Sequence, residues 1–155
     1  MTMTEAPPVS IQEVSRRSGL SEPTLRYYEK IGLIDPVPRD ESSGHRRYSG
    51  LAVERIEALS CLKATGMGLQ DMRTYLRHLD GREDGESPAR LRELFLRNAD
   101  RVAEEMDRLR VRLRYLRLKA DLWDAREQRD GEAERLAVQE ITRTVPELRQ
   151  TRSGR

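Results

Sequence analysis

Nine apolar residues, Phe95, Ala99, Val102, Met106, Leu109, Leu113, Leu116, Ala120 and Trp123, follow one another at steps that alternate four and three. This is the seam of a heptad repeat, and chance rarely sustains one over about four turns of the pattern. Ser87-Pro88 marks its start, with a capping residue and a proline at the first helical position. A helix over residues 87–128 extends roughly 60 Å. A small domain cannot cover a stripe of that length, so the seam calls for a partner, most simply the same helix of a second copy. Centred near Leu109, an antiparallel pair sets Glu105 against the partner's Arg112 twice, whereas a parallel pair sets Arg112 against the partner's Arg117. Such surface pairs contribute only about 0.2–1 kcal/mol each. They lean towards the antiparallel homodimer and leave the parallel one open.

Composition fits an architecture built on that helix. Of 155 residues, 36% are charged and 5% aromatic, with one Phe and one Trp. Little bulk is left for a large globular core, and abundant Arg, Glu and Leu suit exposed helices. The formal charge is only +2, so any nucleic-acid contact rests on placement rather than on a basic tail. Residues 10–60 hold eight basic side chains (Arg16, Arg17, Arg26, Lys30, Arg39, Arg46, Arg47, Arg55) against eight acidic ones. A single cysteine, Cys61, excludes an intramolecular disulfide framework. No apolar run is long enough for a bilayer, and Met1 to Pro8 lacks the pattern of a secretory leader, so the expectation is a cytoplasmic protein without membrane contact.

Upstream of the seam, Ser10-Ile11-Gln12-Glu13 matches a capping box. Ile11, Val14 and Leu20 give apolar spacing, and Gly19 closes a short helix. Ser21-Glu22-Pro23 opens a second helix that ends at Gly32. Two short helices around a glycine form a helix-turn-helix. Residues 34–49 carry Pro36, Pro38 and the polar turn Asp40–Gly44, which reads as a β-hairpin or wing. A helix pair follows, one with Val53, Ile56, Leu59 and Leu62, the next with Leu69, Met72, Tyr75, Leu76 and Leu79. The fold class is therefore mainly α: a winged helix-turn-helix domain over 10–80, a linker over 81–86 and a dimerisation helix over 87–128. Residues 1–9 read as disordered. Residues 129–155 read as a flexible tail, with room for a short helix near Glu132–Ile141.

A helix-turn-helix places its second helix in the major groove. Thr24, Arg26, Tyr27 and Lys30 are available there, with Thr24 the weaker base-edge candidate, while Leu25 and Tyr28 suit the inside. Arg46 and Arg47 on the wing would reach flanking backbone or minor groove. Each of these residues alone is equally well read as a solvated charge. The combination with a wing and a dimer helix is far more specific.

The run Ile11-Gln12-Glu13-Val14-Ser15, Gly19-Leu20-Ser21 and Thr24-Leu25-Arg26-Tyr27-Tyr28-Glu29-Lys30-Ile31-Gly32-Leu33-Ile34 resembles the signature of MerR-family bacterial transcription regulators. Gly44-His45-Arg46-Arg47-Tyr48-Ser49 fits the same pattern, and the resemblance extends over residues 10 to about 125. It implies an antiparallel coiled-coil homodimer on a palindromic promoter element with a long spacer. It also implies bending and untwisting of that DNA, so that RNA polymerase, nearby on the promoter, can align with both promoter elements. The deformation energy would be offset by phosphate contacts from two half-sites. By position, Arg26 and Tyr27 match the family's recognition-helix contacts, and Arg46 and Tyr48 its wing contacts.

Metal-sensing relatives carry several cysteines at and after the start of the long helix, and this chain has none there. His45 and His78 form no obvious metal set with Cys61, so neither metal nor cofactor is expected. The segment Cys61 to Met67 is similar to the aldehyde- and thiol-stress branch (AdhR- and NmlR-like), which makes Cys61 a candidate electrophile-sensing thiol. A small buried hydrophobe is the plain alternative. Helical phase turns Cys61 about 200° from Leu59, off the local core. Glu54 and Glu57 nearby would disfavour the thiolate, whereas Lys63 and arginines of a second copy would favour it. Two other classes compete. Catalysis has no Ser/His/Asp set, paired carboxylates or phosphate loop behind it. A coiled-coil adaptor that binds protein rather than DNA accounts for the long helix and leaves Arg26, Tyr27 and the wing unused.

Overall fold

The computed structural model describes residues 6–81 and 88–152. Six helices make up most of these: α1 (Ile11–Ser18), α2 (Glu22–Lys30), α3 (Gly50–Ala64), α4 (Leu69–Leu79), α5 (Pro88–Glu127) and α6 (Gly131–Gln150). Two compact units divide the chain, Met1–Leu94 and Phe95–Arg155.

In the first unit, cap chemistry sets the helix bounds. Ser10 Oγ accepts from the Glu13 N–H at 3.3 Å. The Glu13 carboxylate turns to Arg16 (2.6 Å) and Arg17 (2.9 Å) rather than completing the expected box. Those two bonds, Arg16 first, lower the Glu13 pKa to about 2. Gly19, at φ 74°, ends α1 in the left-handed region. Ser21 and Ser49 cap α2 and α3 through the N–H groups of Thr24 and Ala52. Val14, Leu25, Tyr28, Leu33, Ile56, Leu59 and Met72 lie at the centre of one core, which Leu94 also joins. Two polar ties hold the frame: Arg55 grips both oxygens of Asp80 at 2.6 and 2.9 Å, and Arg73 donates to the Ile31 carbonyl past the end of α2.

The wing is present without regular strands among the described residues. Isolated antiparallel bridges join Arg39 to Arg46 and Val9 to Tyr48. The second bridge corrects the reading at Val9, the last residue of the stretch expected to be disordered: its N–H and C=O both bond Tyr48 at 2.9 Å. Residues 1–5 of that stretch lie outside the described residues. Ser87 and most of the expected linker, residues 82–86, lie outside the described residues.

In the second unit, α5 runs through the seam without a break. The tail is where the structure departs most from expectation. Residues 131–150 form a 20-residue helix instead of a flexible segment. Asp130 caps it through the Ala133 N–H, and Arg129, at φ 54°, turns the chain back in three residues. Arg126–Glu134 (2.8 Å), Arg114–Glu147 (2.6 Å) and Arg112 on the Thr151 carbonyl (3.3 Å) then tie α6 antiparallel along α5. The physical reason is a second stripe. Val111, Tyr115, Leu118, Leu122 and Ala125 on α5, and Ala137, Ile141, Thr144 and Leu148 on α6, are buried or half-buried. The heptad seam faces elsewhere: Leu109 is 50% exposed, Leu116 65% and Trp123 62%, and Phe95, Val102, Met106 and Leu113 are exposed as well. Among the described residues no helix is long and apolar enough to cross a membrane.

Candidate nucleic-acid interface

Helix α2 separates its two faces by spacing. Leu25 and Tyr28 are buried, while Arg26, Tyr27 and Lys30 stand exposed on the opposite side. The Tyr27 ring sits 6.3 Å from that of Tyr28. Thr24 is half-buried, and its hydroxyl bonds Ser21 Oγ at 2.8 Å.

Local hydrogen bonds tie the wing tip. One carboxylate oxygen of Asp40 accepts from the N–H groups of Ser42 (3.0 Å) and Ser43 (2.9 Å) and from both hydroxyls. These bonds, the Ser42 hydroxyl first, hold the Asp40 carboxyl far below the usual carboxylate range. Gly44, at φ 71°, completes the turn, and Arg39 donates to its carbonyl. Arg47 lies exposed on the returning arm, with Asp40 at 3.8 Å.

Arg46 and Tyr48 are less exposed than Arg47. Arg46 is one-fifth exposed, and its Nε–H donates to Glu29 of α2 at 3.1 Å. Tyr48 is fully buried in the core. Its hydroxyl is buried without a hydrogen-bond partner among the described residues. Burial pushes the phenol's pKa up, and Glu29 adds to the shift. As a direct DNA contact, Tyr48 is corrected: it is a core residue that supports the wing. Period-two alternation was the available signal, since positions 46 and 48 of an extended arm share one face and 47 takes the other. Glu29 went unremarked in the sequence, because nothing local there announces a partner 17 positions away.

Cys61 is exposed on α3, off the core face marked by Leu59. The described residues include no group of three or more His, Cys, Asp or Glu side chains placed to hold a metal ion.

Comparison with known proteins adds to this geometry. The family model described as MerR HTH family regulatory protein matches residues 9–79. The chain is 31% identical over 109 residues to the HTH-type transcriptional regulator HmrR of Rhizobium leguminosarum bv. viciae, covering 70% of this chain and 83% of that protein. It is 37% identical over 67 residues to the HTH-type transcriptional regulator AdhR of Bacillus subtilis, covering 43% of this chain and 47% of AdhR. The chain spans about half the length of AdhR and of similar curated relatives. Among solved structures it is similar to HiNmlR, described as a MerR family regulator lacking the sensor domain, bound to promoter DNA. The TM-score there is 0.63 at 26% identity, covering 82% of this chain and 95% of that one.

Proposed function

Because the chain belongs to the MerR family of helix-turn-helix regulators, we propose that it controls transcription as a homodimer bound to a palindromic promoter operator. The observation that carries this reading is the exposed face of α2. Arg26, Tyr27 and Lys30 stand together there, beside a wing that presents Arg47. Arg and Lys supply phosphate or guanine contacts, and the Tyr27 hydroxyl a phosphate contact. The similarity to a relative solved on promoter DNA supports the same placement.

The second copy covers the seam of α5, antiparallel, and sets two recognition helices on one operator. Two half-sites gripping one duplex can offset the energy of bending and untwisting the spacer, which is how the dimer would align the promoter for RNA polymerase. The proposed input is Cys61, whose exposure on α3 lets an electrophile reach the thiol from solvent. If a Cys61→Ser chain keeps its full response to an aldehyde in a transcription assay, that input is wrong.

The test of DNA binding is a gel shift with the region upstream of the protein's own gene, run across a salt series. Affinity should fall linearly on a log–log plot as counterions are released. A chain that dimerises and fails to bind that region at low salt would be an adaptor instead.

A further inference from the structure

Arg46 is held from one side only. Its Nε–H is bound by Glu29, and no other hydrogen bond or ion pair engages it among the described residues. The side chain keeps about one-fifth of its surface in solvent, and neither Nη is a fully buried atom left without a partner. A guanidinium carries five N–H donors in a planar fork. Gripping it by the Nε edge fixes the plane and leaves the Nη edge free to meet a phosphate. The carboxylate that does this also offsets the charge it positions. The surroundings repeat the pattern: the Tyr48 phenol feels Glu29, Arg46, Arg26 and Glu22 together, two cations balanced by two anions on α2 and the wing.

Resting on the DNA-binding reading above, we propose that Glu29 is a specificity-determining positioning residue. It orients Arg46 towards one phosphate and cancels the charge that would otherwise bind any duplex. Where a phosphate sits in the oriented path, Arg46 makes a directed contact. Elsewhere the Glu29–Arg46 pair presents almost no net charge, and non-specific binding gains nothing from it. The device also ties the wing to the recognition helix, so the spacing of their two contact points becomes part of what the protein reads.

The experiment measures the affinity of the full-length dimer for two duplexes of equal length, one from its own upstream region and one of random sequence. Each is titrated by fluorescence anisotropy at several salt concentrations. Glu29→Gln keeps an oxygen for the Arg46 Nε–H and removes the charge. It should tighten random-duplex binding by about tenfold or more and steepen the log–log salt slope by about two, one unit per subunit. The ratio of upstream to random affinity should fall. Glu29→Asp, which keeps the charge, should keep the wild-type slope. A purely structural Glu29 would weaken both duplexes in parallel. That result, or an unchanged slope and ratio in Glu29→Gln, overturns the proposal. So does a steepened slope in Glu29→Asp. Wild-type protein that binds neither duplex would instead overturn the DNA-binding reading itself.

Discussion

Consecutive residues on an extended arm point to opposite faces, and that alternation sorts Arg46, Arg47 and Tyr48. Arg47 reaches solvent, Arg46 leans on α2 and Tyr48 enters the core. The Tyr48 hydroxyl has been taken from water without a partner among the described residues, which costs about 1–3 kcal/mol. Tyr48→Phe removes that group and keeps the ring. Urea denaturation should therefore show stability unchanged or raised by about 1 kcal/mol, with DNA affinity the same within about twofold. A tenfold loss of DNA affinity with intact stability would return Tyr48 to the interface. Arg26 makes the opposite case. It is exposed, and no hydrogen bond or ion pair holds it among the described residues, so Arg26→Ala has little to disturb in the fold. Binding to the upstream duplex should weaken by about 1–3 kcal/mol, while sedimentation reports an unchanged dimer.

At the level of elements, the helices of the first unit were legible because their ends carry local chemistry. Ser10 and Ser21 cap, Gly19 terminates, and α1 and α2 fall where those residues put them. The exposed face of α2 was equally legible, since Leu25 and Tyr28 fix its phase. What escaped is long-range pairing: Arg46 with Glu29 and α6 with α5. A heptad search also finds one stripe and stops there, although α5 carries a second one through Tyr115, Leu118 and Leu122. Pro146 lies within α6. Its ring nitrogen cannot donate to the carbonyl one turn back, a defect of about 3 kcal/mol in a helix interior. Packing along α5 outweighs it. Pro146→Ala should restore the missing bond and slow amide hydrogen exchange over the last two turns of α6. Faster exchange there would mean that the proline shapes the helix's fit to α5.

One 40-residue helix carries two apolar stripes, and among the described residues only one of them is covered. Val102, Met106, Leu109, Leu113 and Leu116 remain between 38% and 65% exposed, a contiguous face of a kind that marks an interaction site. The proposed second copy would cover it and account for the first unit as well, because one recognition helix alone binds weakly and linked half-sites reinforce each other. Leu109 tests this most sharply. In an antiparallel pair centred there, it meets its own copy near the two-fold axis, so Leu109→Asp sets two carboxylates face to face in an apolar seam. The wild type should sediment as a dimer and the variant as a monomer. Operator affinity should drop by about 100-fold or more as the linkage between half-sites is lost. Circular dichroism should stay nearly unchanged, because Leu109 lies outside the stripe that α6 covers. If Leu109→Asp remains dimeric, the seam is not the interface, and its exposed leucines belong to a different partner.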